Sequence, residues 1–149
     1  MTTKLHHQVR EFHSYFGKPG HYVPRMPDHD RLTLRLRLIA EEFCEVLEAA
    51  GCEDSDLLLH CINSFIDERS RVDDSALAKL AHEASDLDYV VEGLRYECGF
   101  DGEPVTDEIH RANMSKVGSE VRPDGKILKG PNYRPPDVAT VLRKQGWNG

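Results

Sequence analysis

Apolar residues recur along this chain at helical rather than alternating spacing. Leu5, Val9, Phe12 and Phe16 fall on one face of a first helix that stops near Gly17. A loop rich in Gly, Pro and His follows, GKPGHYVPRMPDHD, in which Asp28 or Asp30 can cap the next helix. That second helix is expected from about Asp30 to Ala50, with Gly51 as its terminator. DSDLLLHCINSFIDERS reads as a third helix, and DDSALAKLAHEASDLDYVVEGLRYECG as a fourth ending near Gly99. A shorter fifth is expected in TDEIHRANMSK, capped by Thr106.

After residue 117 the pattern changes. EVRPDGKILKGPNYRPPD places a Pro-Asp-Gly turn between two short β-like runs and ends in a proline-rich connector, which predicts a small hairpin or ordered arm. A last short helix is expected in DVATVLRKQ. Helices dominate, so the expected fold is all-α: an antiparallel bundle of four to five helices with a short C-terminal hairpin or arm. At 149 residues the chain fits one domain, residues 1–149, and a small helical domain of this size often gains a partner to bury more apolar surface.

The second helix carries four glutamates, Glu41, Glu42, Glu45 and Glu48. With about 100° of turn per residue, Leu36, Ile39, Phe43, Val46, Leu47 and Ala50 gather on one side. Opposite them Leu34 and Leu38 lead into Glu41, Glu42 and Glu45. A purely solvated face would not begin with two leucines, so these glutamates are expected to face an enclosed space, and Glu48, nearer the end, to face water. On the fourth helix Leu80, Leu87, Val90, Val91 and Leu94 define an apolar side. Glu83 stands in line with Leu87, Val90 and Leu94, Asp86 lies on the same side, and Asp88 and Glu92 point elsewhere. An ionised carboxylate beside a core is costly unless it is compensated. Glu42 with Glu45 and Glu83 with Asp86 therefore form two i,i+3 pairs whose mutual repulsion hard cations such as Mg²⁺ or Mn²⁺ would relieve. Spacing alone leaves a second account open, in which the same acids make surface salt bridges with Arg37, Lys79 or Arg95.

Composition narrows the classes. A formal net charge of −7, with 30% charged residues, argues against a general grip on nucleic acid through phosphate neutralisation. The N-terminal MTTKLHHQVREFHSYFG is amphipathic rather than a signal peptide, and no apolar run reaches membrane-spanning length, so a soluble cytoplasmic chain is expected. Cys44, Cys52, Cys61 and Cys98 lack zinc-ribbon spacing and are expected to be reduced thiols. HEASD starts like a zinc-protease motif, but Asp86 stands where the second histidine is required. Neither a P-loop nor a strand followed by GxGxxG is present.

LIAEEFCEV followed by HEASDLDYVV resembles the EExxE and ExxD pair of the MazG-like all-α nucleoside triphosphate pyrophosphohydrolases. That superfamily also holds phosphoribosyl-ATP pyrophosphatases and dimeric dUTPases. The order of the motifs, their apolar flanks and the later HRANMSKVG and DGKILKGPNYRPPD extend the likeness over roughly residues 30 to 137. The 37 residues between Glu45 and Glu83 exceed the spacing of compact MazG domains and leave room for the third helix. The resemblance implies Mg²⁺-dependent cleavage of a nucleoside triphosphate to the monophosphate and pyrophosphate, with Mn²⁺ able to substitute. Carried over by motif, Glu42, Glu45, Glu83 and Asp86 would hold the metal, and Glu41 would ligate, or orient and deprotonate, the attacking water. Asn113 and Lys116 would contact the nucleotide or its phosphates, with Lys129 and Tyr133 on a closing arm. Lys126 reads as an exposed polar residue, and no role is fixed for Arg111. The resemblance also implies a homodimer or homotetramer, with active sites built across a subunit boundary.

Other classes fit the sequence less well. A phosphoribosyl-ATP pyrophosphatase-like enzyme would share the motifs and differ in substrate. A non-catalytic acidic helical interaction module would gain no stability from divalent cations. A ferritin-like di-metal oxidase needs Glu-x-x-His, and none of Glu42, Glu45 or Glu83 has His three residues on.

Overall fold

The side-chain hydroxyl of Thr3 accepts from His6 N and opens helix α1, Lys4–Tyr15, in a computed structural model that describes residues 2–17 and 20–149. Lys18 and Pro19, part of the expected Gly/Pro/His loop, and Met1 lie outside the described residues. Five further helices follow: α2 (His29–Ala49), α3 (Ser55–Asp67), α4 (Leu77–Cys98, preceded by the 3₁₀ turn Asp74–Ala76), α5 (Gly102–Met114) and α6 (Val138–Lys144). The fold is all-α. Among the described residues the only β pairing is one antiparallel bridge, Val121 to Ile127, so the expected hairpin is a turn closed by a single bridge rather than a pair of strands.

Helix ends follow local chemistry. Asp28 caps α2 by accepting from Arg31 N at 2.8 Å. At the other end Gly51, at φ +89°, lets Cys52 N donate to the carbonyl of Leu47 and Gly51 N to that of Glu48, the Schellman arrangement. Helix α5 corrects one expectation: it begins at Gly102, capped by Asp101, and Thr106 lies inside it. Asp101-Gly-Glu-Pro supplies an earlier cap, and Pro104 in the first turn forfeits no intrahelical bond.

The chain divides into two compact units. One comprises residues 25–77 and 123–126. Here α2 packs on α3, and Met26, Leu32, Leu34, Ala40, Cys44 and Ile66 are buried. Arg37 pairs with Asp67, Arg69 donates to the carbonyl of His29, and Asp74 accepts from Met26 N. The turn at residues 123–126 lies along α2, with a Cβ on Gly125 falling 3.4 Å from Leu34 Cδ2.

The other unit comprises residues 1–24, 78–122 and 127–149. Helix α5 packs on α1 and α6. Lys4 pairs with Glu103 and Asp107, and Gln8 donates to Asp107. The side-chain amide of Gln145, just past α6, clamps the backbone N–H and carbonyl of Asp101. Arg95, from α4, lies against Gly102 so closely that a Cβ there would meet its Cδ at 2.7 Å. Only Ala112 and Ile127 are buried apolar side chains among the described residues of this unit.

The expected apolar sides of α2 and α4 are present but uncovered. Ile39, Phe43 and Val46 on α2 and Leu87, Val90, Val91 and Leu94 on α4 are all exposed, Val90 to 61%. The face that α2 buries runs instead through Leu32, Leu34, Ala40 and Cys44, because that is where α3 and the 123–126 turn meet it.

Candidate active site

Glu41, Glu42 and Glu45 lie on α2 in the first unit, and Glu83 and Asp86 on α4 in the second. Glu41 is half-buried. The ammonium of Lys126, one residue past Gly125, donates to both of its carboxylate oxygens. Asp124 shapes that turn by accepting from Lys126 N at 3.1 Å. Lys126, expected to be an exposed polar residue, is thus a partly buried counter-ion of the candidate water-handling glutamate, with 28% of its side chain exposed.

Glu42 and Glu45 are exposed, which corrects the expectation that they face an enclosed space within one chain. Glu42, three residues after Ile39 and four before Val46, stands at the edge of the uncovered stripe that holds them, nearer to it than the sequence reading placed it, and Glu45 lies further round α2. Glu48 is exposed, as expected. Glu83 and Asp86 are exposed as well, and Asp86 lies 3.2 Å from His82 Nε2 one turn away. Among the described residues no group of three or more His, Cys, Asp or Glu stands together as a metal cluster. The salt-bridge account of these acids loses two of its cations, since Arg37 pairs with Asp67 and Arg95 with Glu92.

The second unit brings together three of the expected nucleotide-binding residues. Lys116 follows the last turn of α5, three residues after Asn113, whose carbonyl accepts from Lys116 N. The Lys116 and Lys129 ammonium groups lie over the Tyr133 ring, 5.9 and 5.2 Å from its centroid. The arm carrying Tyr133 is stapled to α5 by residues the sequence did not single out for this role. Arg134 N donates to Ser115 Oγ at 2.8 Å, Arg111 to the carbonyl of Pro135 at 2.9 Å, and Asp137 N to Glu108 at 2.8 Å. Glu108 in turn holds Arg111 at 2.7 Å, and these bonds, first Arg111 and then the Asp137 backbone, pull the Glu108 carboxyl down to about 2. Glu108 and Arg111 at i,i+3 were visible as a helical pair. Their hold on a segment some 25 residues later was not. Gly130 lies so close to Ser119 that a Cβ would meet its Oγ at 2.5 Å, which brings the start of the arm against the segment after α5.

Chemically, each carboxylate pair, Glu42 with Glu45 on α2 and Glu83 with Asp86 on α4, offers oxygen ligands of the kind that hard cations take. Lys116 and Lys129 carry ammonium groups of the kind that suit phosphate oxygens. No helix among the described residues is long and apolar enough to cross a membrane.

The family model described as phosphoribosyl-ATP pyrophosphohydrolase matches residues 9–113. That span includes both carboxylate pairs and stops before Lys116, Lys129 and Tyr133. Among solved structures, a protein from Exiguobacterium sp. 255-15 described as a candidate NTP pyrophosphohydrolase is similar, with a TM-score of 0.72 and 23% identity. The match covers 97% of this chain and 98% of that one, a likeness of fold. No curated protein matches significantly. The MazG-like resemblance is borne out in fold and family: the chain belongs to the phosphoribosyl-ATP pyrophosphohydrolase family, whose members are hydrolases of phosphoric anhydrides.

Proposed function

We propose that the protein is a Mg²⁺-dependent nucleoside triphosphate pyrophosphohydrolase, with Mn²⁺ able to substitute. It cleaves a nucleoside or deoxynucleoside triphosphate to the monophosphate and pyrophosphate, in upkeep of the nucleotide pool. One observation supports this reading: an exposed i,i+3 carboxylate pair on α2 and another on α4 each adjoin an apolar helical stripe that is uncovered. Glu42 stands at the edge of the stripe of Ile39 and Val46, with Glu45 further round the helix, and Glu83 lies in line with Leu87, Val90 and Leu94, with Asp86 on the same side. A second copy of the chain, in a homodimer or homotetramer, covers such stripes and takes the carboxylates out of bulk water. There an acidic cluster is tolerable only with cations.

The donor set fits Mg²⁺, being all carboxylate oxygen. Glu42, Glu45, Glu83 and Asp86 would hold it, and when bound it neutralises phosphate charge and makes bound water more acidic. Glu41, about 100° round the helix from Glu42, orients the attacking water and accepts its proton. Asn113, Lys116 and Lys129 bind the nucleotide's phosphates, and the stapled arm keeps Tyr133 and Lys129 in place before substrate arrives.

Pyrophosphate release should be measured over canonical and modified dNTPs, NTPs and phosphoribosyl-ATP, with and without Mg²⁺. Glu45→Gln and Asp86→Asn should each lower turnover about a hundredfold or more while melting like the parent. Full turnover in either variant would remove the assignment. The family match favours one second reading, phosphoribosyl-ATP as substrate, which its preferential cleavage in the same panel would establish. No pyrophosphate from any substrate, together with no Mg²⁺ stabilisation, would instead identify a non-catalytic helical module.

A further inference from the structure

One glutamate of the α2 run is set apart from its neighbours. Glu42 and Glu45 are exposed, whereas Glu41 is half-buried. The difference is the turn at residues 123–126, which meets the stripe of Leu34, Leu38 and Glu41, spaced i, i+4 and i+7, at its two ends. Gly125, at φ +98°, brings the backbone so close that a Cβ would fall 3.4 Å from Leu34 Cδ2. Two helical turns along, the Lys126 ammonium donates to both carboxylate oxygens of Glu41, to Oε2 at 2.6 Å.

The backbone of Lys126 is placed without help from Glu41. Asp124 Oδ1 accepts from Lys126 N at 3.1 Å, Pro123 fixes one backbone angle, and Val121 bridges Ile127, the buried residue that follows Lys126. Two of the three ammonium donors are spent on one carboxylate, which fixes its plane as well as its position. Of the roughly four lone-pair positions of an ionised carboxylate, about two remain. Its charge is already matched. Such a group is a poor ligand for a hard dication, which the ammonium would also repel, yet it still accepts from water.

We infer that Lys126 is a positioning residue that fixes the Glu41 carboxylate and reserves it for the attacking water, keeping it out of the metal-binding set. This rests on the proposed function in taking Glu42, Glu45, Glu83 and Asp86 as the metal ligands and Glu41 as the residue that handles water. Lys126 acts through Glu41 alone.

Mg²⁺ is titrated calorimetrically, without nucleotide, into the full chain and into variants carrying Lys126→Met, Glu41→Gln or both. With Lys126 in place, Glu41→Gln should change Mg²⁺ affinity by no more than about threefold, as for a screened neighbouring charge. Without Lys126 the freed carboxylate can join the metal, and Glu41→Gln should then cost about tenfold or more. In pyrophosphate release at saturating Mg²⁺, Lys126→Met should lower kcat about ten- to a hundredfold with KM nearly unchanged. Lys126→Arg, whose guanidinium fork also reaches both oxygens, should recover most of the loss. In a Glu41→Gln background Lys126→Met should cost nothing further, whereas a general structural defect would cost the same in both backgrounds. An equal effect of Glu41→Gln on Mg²⁺ affinity with and without Lys126, parent-like kcat in Lys126→Met, or a rise in KM alone overturns the inference. If the parent hydrolyses nucleotides and any of these is found, the positioning role falls and the enzyme stands. If the parent releases no pyrophosphate but shows the expected coupling in Mg²⁺ binding, the enzyme falls and the hold of Lys126 on Glu41 stands. A parent that neither binds Mg²⁺ nor releases pyrophosphate removes both.

Discussion

Lys126 and Glu41 are the closest contact between a candidate catalytic group and the rest of its unit. Both side chains are roughly two-thirds shielded, and the ammonium reaches both carboxylate oxygens. A partly exposed pair of this kind is worth about 1 kcal/mol at most once solvent screening is allowed for. Lys126→Met and Glu41→Gln should therefore each lower stability in urea by about 1 kcal/mol or less. The double variant should lose less than the sum, with a coupling of roughly 0.5 kcal/mol or more. Strict additivity would show that the pair contributes nothing. Helical period placed the glutamates on α2 but not their burial, since Glu42 and Glu45 are exposed where an enclosed space was expected. The pairing of Lys126 was not legible, because its partner lies 85 residues away and no periodicity reports a contact of that separation. Tyr133 lay between these cases: its neighbourhood was readable from the resemblance, but not that two lysines share its ring.

At the scale of elements, the C-terminal arm depends on α5, and one group makes that dependence measurable by pH. Glu108 accepts from Arg111 and from the backbone of Asp137, and its carboxyl is pulled from the ordinary 4.5 down to about 2. A carboxylate with a depressed folded-state value stabilises fully above its unfolded value, and that contribution disappears as pH falls through the folded one. The stability gap between the parent and Glu108→Gln should be constant above about pH 5, shrink from about pH 4.5 and vanish near pH 2. Thermal melts of both proteins across that range test it. A gap that does not change with pH would mean that Glu108 contributes nothing through its charge. Helix α2 was legible almost to the residue and α1, α3 and α4 to within about four residues at each end, because Asp28 as a cap and Gly51 and Gly99 as terminators act through bonds within a few residues. Helix α5 was read as starting five residues late because Asp101, not Thr106, caps it. The bridge at Val121 was read as more strand than it forms, since alternation over so few residues cannot say whether pairing continues past one pair.

For the molecule as a whole, the deciding quantity is apolar surface left without a neighbour. Sequence periodicity located the apolar stripe of α4 correctly but could not say what covers it, and within its unit α4 acquires no helix that does. Leu87, Val90, Val91 and Leu94 remain 40–61% exposed. Completing the burial of such side chains is worth roughly 1 kcal/mol each, about half of the full transfer value. Ile39, Phe43 and Val46 add to the apolar surface that the proposed assembly would bury. The same association would enclose the carboxylates that share these stripes, so assembly and metal binding should be linked. Val90→Arg separates this account from a monomeric one. At a solvated position the change should move stability by no more than about 0.5 kcal/mol. In a subunit interface it places an unpaired charge against apolar surface and costs several times that. Sedimentation equilibrium should find the parent as a dimer or tetramer and Val90→Arg shifted to monomer. The variant should also lose the rise in melting temperature that Mg²⁺ gives the parent. A parent that sediments as a monomer at every concentration, and still gains stability from Mg²⁺, would place the whole cation site within one chain and leave the apolar stripes unexplained by self-association.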